Sequence, residues 1–414
     1  MNVKILSHYS SNRSLVGFDK PLVVSYLRHK WIFSEVVAEL RKINRGFAAV
    51  IVRNNHTMSD HSTPRTMYVV RTDALDTEAR VSRLFTSLSN RGVTVKVFGV
   101  VKKISEFEFA SEEYVCRSDS IGLRPLRLLG KYFECNFAAA RFLQNEGRDG
   151  DVYILANFEF FALGLWLRLF RKTVVFDLHE HYHRKLFRYH RVTHFIFAKI
   201  FSGVCFANLV RAKDYLGENS STKKVAVVRN IPYETHGVIR VPKWVEDDRL
   251  RIAVVGGPRP GRFVLESIAA LDTAEFASKV EIVCHGPELG VKTSFVPIVE
   301  YGRFKHWEIE DHLEKLDASL VFYDPAVSMN NRLCEPNRFF QAFNLGKLIF
   351  CFDHCTLREF YDEGVLIVSP DRFDSSFKEV VRRAIEMKQM KSLEIERKLA
   401  VFEENTVNLD LLMP

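Results

Sequence analysis

The chain alternates short apolar runs with amphipathic stretches in two successive series, and this alternation restricts its fold more than any other feature. Residues 66–71 (TMYVVR) read as a strand, 75–88 carry a helical apolar period, Asn90-Arg91-Gly92 stops that helix, and 93–101 (VTVKVFGVV) read as the next buried strand. The pattern returns in the strand Val152–Ala156, a helix over 158–171 and the strand Thr173–Leu178. After a Pro- and charge-containing stretch at 239–251 a second series begins. Its expected strands are 251–257, 280–286, 296–302, 318–324, 347–352 and 364–369. Helices are expected at Arg262–Leu271, 306–316, Asn337–Asn344, near 356–361, and at 375–391. Strands that are apolar throughout fit parallel sheets covered on both faces. The expected fold is therefore α/β, with two doubly wound Rossmann-like domains, 66–238 and 239–414, facing a cleft. Residues 1–65 are expected to be an extension packed on the first. Ligands belong outside the carboxyl ends of the strands, where the strand order reverses.

Charge sharpens this division. The net charge is +8, yet residues 1–240 hold 37 basic and 22 acidic side chains (+15), and the remainder carries −7. A basic total alone suggests nucleic acid, but no nucleic-acid recognition module is present. Residues 183–191 interleave Arg184, Lys185, Arg188 and Arg191 with Leu186, Phe187 and Tyr189, a pattern suited either to an anionic membrane surface or to a solvated helix face. The most apolar stretch, 152–170, is broken by Asn157, Glu159 and Arg168, so any membrane contact is expected to be peripheral. Seven cysteines, mostly within apolar runs, fit reduced thiols in a cytoplasmic protein; no signal peptide is read at the start.

Three local motifs carry chemistry. His179-Glu180-His181-Tyr182-His183 matches H-E-x-x-H, but it directly follows a strand, whereas the zinc peptidases place both histidines on one helix face, and no third ligand follows at the required spacing. A zinc metallopeptidase is thus left as a remote alternative, and no metal is expected. Asp177, His179 and Glu180 instead form a polar cluster at a strand's carboxyl end, suited to a sugar hydroxyl or phosphate; alternatively, the two acids cap the next helix. Gly256-Gly257-Pro258-Arg259-Pro260-Gly261-Arg262 lies between strand and helix. Its glycines permit close approach of a diphosphate, and Arg259 and Arg262 can pair with phosphate oxygens. It matches neither the dinucleotide fingerprint nor a Walker loop. Farther on, Arg338 falls in the first turn of the helix between Pro336 and Gly346, where a cation is disfavoured unless an anion faces it.

At these residues the chain resembles the retaining GT-B glycosyltransferases of family four, which move a sugar from a nucleotide diphosphate donor to an acceptor. The likeness covers about residues 66–391. It rests on EARVSRLFTSLSNRGVTVKVFG (78–99), VVFDLHE (174–180), VVGGPRPGRFVLESIAAL (254–271) and EPNRFFQAFNLGKLIF (335–350). The resemblance implies a GT-B fold in which His179 lies near the donor sugar, Arg262 and Arg338 hold the diphosphate and Asn337 orders that loop; with the strand-end cluster, the expected catalytic residues are His179, Glu180 and Asp177. Taken with the loop and helix readings above, the expected donor contacts are Gly257, Arg259, Arg262, His285, Glu335, Asn337, Arg338 and Gln341. No cofactor is implied beyond a UDP- or GDP-sugar substrate. The acceptor would be a saccharide or lipid-linked saccharide, as in bacterial polysaccharide or lipopolysaccharide synthesis, at the inner face of the cytoplasmic membrane. Departures are also visible. Gln341 stands where the family usually has a ribose-binding Glu, Lys347-Leu348 replaces x-Pro, and the loop at 71–76 lacks glycine. These departures keep open a non-catalytic partner of the same fold.

Overall fold

The computed structural model divides the chain into two compact units, Met1–Thr63 and Pro64–Pro414. It describes residues 66–72, 79–101, 110–115, 124–147, 151–156, 158–178, 200–217, 224–231, 244–256, 261–286, 288–302, 304, 308–390 and 400. The expected extension at 1–65, the basic stretch 183–191 and the H-E-x-x-H segment lie outside the described residues.

Two parallel sheets organise the second unit. The first contains β1 (Thr66–Thr72), β2 (Thr94–Val101), β3 (Ala110–Val115), β4 (Val152–Ala156), β5 (Thr173–Leu178), β6 (Gly203–Phe206) and β7 (Val225–Val227), in the order β3-β2-β1-β4-β5-β6-β7. The second contains β8 (Leu250–Val255), β9 (Val280–His285), β10 (Ile298–Glu300), β11 (Ala318–Val321), β12 (Leu348–Cys351) and β13 (Val365–Ile367), in the order β10-β9-β8-β11-β12-β13. Every described strand pair is parallel. Both sheets start at an inner strand, run to one edge and then reverse, so each has a switch point, at β1/β4 and at β8/β11. The expected α/β class with two doubly wound Rossmann-like sheets is the fold of the chain.

Helices cover the faces for the reason the apolar periods suggest. Helix α1 (Ala79–Asn90) buries Val81, Leu84 and Leu88, and α2 (Arg124–Glu146) buries Cys135, Ala138, Ala139, Phe142 and Leu143. A 3-10 turn at Phe158–Phe160 opens α3 (Phe161–Leu169), splitting what the sequence presents as one helix. Gly164 sits in α3 because a Cβ there would meet Phe201 at 2.9 Å, Phe176 at 3.0 Å and Leu155 at 3.1 Å. Helix α4 (Leu209–Leu216) is capped by Asn208, whose Oδ1 accepts from Arg211 N at 2.7 Å.

In the second half, α5 (Arg262–Leu271), α6 (Ile309–Glu314), α8 (Asn337–Asn344) and α9 (Phe373–Met390) play the same part, whereas the short α7 (Met329–Arg332) buries none of its residues. Helix α8 shows the sequence logic best. Pro336 presets its N-cap at φ −65°, and Phe339, Phe340, Ala342, Phe343 and Asn344 are buried. Asn337, Arg338 and Gln341 are left half-exposed on the opposite side. One apolar cluster joins Phe339, Phe340 and Phe343 with Val81, Leu84, Val97 and Val175, so the two halves share part of a core. The chain's return is tied to the same helix: Asn344 Nδ2 donates to Ala400 O at 3.1 Å, and Ala400 N to Asn344 Oδ1 at 3.0 Å. At the entry to β8, the buried Asp317 carboxylate accepts from Val245 N, Arg251 N and Lys388 Nζ at 2.9, 2.9 and 2.7 Å, fixing the strand's approach.

Two features of the first half carried no clear signal in the sequence. Strands β6 and β7 have only four and three residues, too few to display a period. Strand β3 has the polar sequence ASEEYV, which suits an edge and does not read as a buried strand.

Candidate functional site

The second switch point brings together some of the polar groups that the sequence singles out, His285 and Arg338 among them. Strand β8 ends at Val255, paired in register with His285 at the end of β9. Gly256 then turns with φ 63°, a left-handed conformation that glycine adopts without a Cβ penalty, and its N–H donates to His285 O at 2.7 Å. From α8, the Arg338 guanidinium reaches across the strand ends, donating to Val255 O and to Tyr323 Oη, the latter at 2.8 Å. It lies 5.3 Å from the Tyr323 ring centroid, a cation–π contact that fixes its plane. The last residue of β8 and the residue two past β11 thus hold a cation at the switch point.

His285 is buried, stacked on the exposed Tyr301 ring at 4.9 Å and on His312 at 4.2 Å; its Nδ1 has no hydrogen-bond partner. Burial first, then the neighbouring His312 and Lys315, hold its pKa down at about 4 against an ordinary 6.5. The ring is therefore neutral in the folded chain over a range where the unfolded chain's ring is charged. That preference stabilises the fold fully above pH 6.5 and is lost as pH falls towards 4. His285→Phe keeps the stack and removes the titration. Urea midpoints measured between pH 7 and 4 should show a flatter acid limb, by on the order of 2–3 kcal/mol at full extent. An equally steep limb would contradict this assignment.

The remaining expected residues divide clearly. Asn337 and Gln341 lie beside Arg338 on the half-exposed face of α8, and Asn337 Oδ1 accepts from Arg83 of α1 at 3.1 Å. Arg262 opens α5 and is exposed; its Nε donates to Glu266 Oε1 at 2.7 Å, which raises its pKa. His179, Glu180, Gly257 and Arg259 lie outside the described residues.

Two expectations are corrected. Asp177 does not project into a cleft: Arg80 Nε and Nη2 hold its two oxygens at 3.0 and 2.8 Å, and both side chains are almost fully buried. Arg80 also donates to Val228 O, so the pair joins α1 to β5 and the exit of β7. Glu335 does not face a ligand either. Its side chain is fully buried and held by Arg229 Nε and Nη2 at 3.0 and 2.7 Å. Burial pushes the Glu335 carboxyl upward and the guanidinium opposes that shift. A carboxylate sealed in a bidentate pair has a structural use before any other.

Sequence reasoning passed over Arg83, Arg229, Tyr301 and Tyr323. Tyr323 was within reach, since it follows an apolar strand at its carboxyl end. Arg229 had no local signal at all. Among the described residues no group of three or more His, Cys, Asp or Glu could hold a metal ion, and no helix is long and apolar enough to cross a membrane. The six described cysteines are free; Cys135, Cys205, Cys284 and Cys351 are buried, and Cys355 is exposed.

No protein-family model and no curated protein sequence matches the chain. Solved structures do match over most of its length. HepE from Anabaena, in complex with UDP and glucose, superposes with TM-score 0.56 at 12% identity, covering 84% of this chain and 97% of that one. The α,α-trehalose 6-phosphate synthase of Burkholderia multivorans gives 0.54 at 12% identity, covering 84% and 95%. The N-terminal domain of a trehalose-6-phosphate phosphatase from Candida albicans gives 0.55 at 11% identity, covering 82% and 93%. At such identities the likeness fixes architecture and leaves chemistry to the site: this chain has the GT-B fold, two doubly wound sheets with a polar switch point on the second.

Proposed function

We propose that the chain is a glycosyltransferase that moves a sugar from a UDP- or GDP-linked donor to a saccharide or lipid-linked saccharide acceptor, with retention and without a metal ion, in the assembly of surface polysaccharide or lipopolysaccharide. The observation that carries this reading is Arg338, a cation held at the β8/β11 switch point by Val255 O and Tyr323 Oη at the start of a helix whose free N–H groups favour an anion. A nucleoside diphosphate supplies that anion. Departure of the diphosphate breaks the bond from the sugar's anomeric carbon to the phosphate oxygen and leaves charge on that oxygen. Arg338, with Arg262 and Arg259 from the loop after β8, would offset this charge. Gln341 stands one helical turn beyond Arg338, where its amide could bind the ribose hydroxyls, and Tyr301 offers an exposed ring beside His285 for the base. His179 and Glu180 directly follow β5 and would meet the sugar, with Asp177 anchoring that strand end from below. HepE, which shares this fold, was solved with UDP and glucose. The acceptor hydroxyl would attack on the face the diphosphate leaves, and the basic first half would favour an anionic acceptor or membrane face.

The direct test is a thermal-shift screen of UDP- and GDP-sugars, followed by assays of transfer and hydrolysis. A ligand at about 100 times its Kd stabilises the native state by about 2.7 kcal/mol, enough to register as a clear shift. Absence of any shift and any turnover across the common donors would sink the reading. Gln341 favours a second reading, a non-catalytic partner of the same fold. A Gln341→Glu chain that gains nucleotide-sugar binding while neither form transfers sugar would favour that alternative.

A further inference from the structure

The segment that delivers Arg338 to the switch point is gripped from the other half of the molecule. Arg211 donates to Asn330 Oδ1 at 3.0 Å and Leu333 O at 3.3 Å, and Asn208 Nδ2 to Leu333 O at 2.9 Å. Arg229 holds the Glu335 carboxylate, and Asn230 Nδ2 donates to Glu335 O at 2.9 Å. Arg83 closes the series on Asn337. Four residues between 330 and 337, namely Asn330, Leu333, Glu335 and Asn337, are therefore held by first-half donors up to the start of α8.

Resting on the donor reading above, we propose that Arg229 is a positioning residue for the diphosphate site, acting through Glu335 to set where Arg338 stands. Arg229 is committed almost entirely to the fold, with one N–H left over. Of its five N–H donors, four are used on Glu335, Glu359 and the Thr356 carbonyl, and its guanidinium lies 4.8 Å from the Phe360 ring centroid. Its grip passes along the chain through few free torsions. Glu335 is held at both its carboxylate and its carbonyl, Pro336 fixes the next φ at −65°, and Asn337 and Arg338 are already helical. If the grip is released, the fully buried Glu335 carboxyl loses its bidentate partner and takes up a proton or moves toward water, so its side chain no longer holds the segment in this place. Arg338 then moves relative to Val255 and Tyr323. Contacts between the halves thus become part of the ligand site without touching the ligand, and by linkage a bound diphosphate tightens those contacts in return.

The test separates positioning from plain stability. UDP and GDP affinities are measured by calorimetry, and Tm by scanning, on the full chain with Arg229→Lys, Arg229→Met and the double change Arg229→Met with Glu335→Leu. Replacing a buried pair by apolar groups of similar volume restores stability in many proteins. The double variant is therefore expected to regain the wild-type Tm while binding the nucleoside diphosphate at least ~10-fold more weakly, because the first-half grip is absent. Arg229→Lys keeps the charge without the fork and should show weaker binding at near wild-type Tm. If affinity returns to wild type together with Tm in the double variant, or is unchanged in Arg229→Lys, the positioning role is overturned. Should the double variant not fold, the Lys variant decides in the same terms. Loss of binding in Arg338→Ala but in none of the Arg229 variants removes only the positioning role. A wild-type chain that binds neither UDP nor GDP removes the donor reading and this proposal with it.

Discussion

Arg338→Ala should weaken binding of UDP or GDP by about 10- to 100-fold with little change in Tm. A hydrogen bond to a charged group contributes about 1.5–3 kcal/mol, and 1.4 kcal/mol is a factor of ten in affinity. The residue is half-exposed, and its partners, Val255 O and Tyr323 Oη, lie at the carboxyl ends of β8 and β11, beside the half-exposed face of α8. Its removal therefore costs the folded chain little and a bound diphosphate much. Tyr323→Phe serves as a graded control. It keeps the ring under the guanidinium and deletes one acceptor, so affinity should fall by only a few-fold. Calorimetric titration of both variants checks the order. If Arg338→Ala loses stability but not affinity, the arginine is a strut between β8 and β11, and the second switch point is not the donor site.

Breaking the Arg80–Asp177 pair is expected to have the largest effect on stability. Asp177→Ala takes both carboxylate oxygens away from a guanidinium with 2% exposure in the first half's core, and removing one partner of a buried pair costs about 3–5 kcal/mol. The double variant Arg80→Met with Asp177→Leu should recover most of that loss in equilibrium urea unfolding. The same experiment separates the two views of Asp177. A cleft acid would lose turnover on substitution by Asn while stability stayed near wild type; a strut would lose stability first. The bidentate geometry and the added bond from Arg80 to Val228 O favour the strut.

The difference between Arg338 and Asp177 also shows how far local sequence reaches. Both were picked out by the same argument, a charged residue at the carboxyl end of a strand or the amino end of a helix. Arg338 does stand at the switch point, because α8 buries the residues around it and leaves Asn337, Arg338 and Gln341 on the half-exposed side, a division its 3.6-residue period already contains. Asp177 and Glu335 carry no such local mark. Their partners, Arg80 and Arg229, stand 97 and 106 residues away in the chain. Which arginine meets which acid depends on β5 lying two strands from β1, and on the exit of β7 reaching the segment before α8.

The sequence by itself determined the two strand–helix series, the limits of β4, β5, α5 and α8, and the arginine at the start of α8. These follow from periodicity, Pro and Gly punctuation and strand length, all of which act within a few residues. Only the tertiary structure decided which polar residues are free for a ligand and which serve the fold. Burying a charge is tolerable only with a partner in place, and that partner is supplied by the sheet order, which no short stretch of chain encodes.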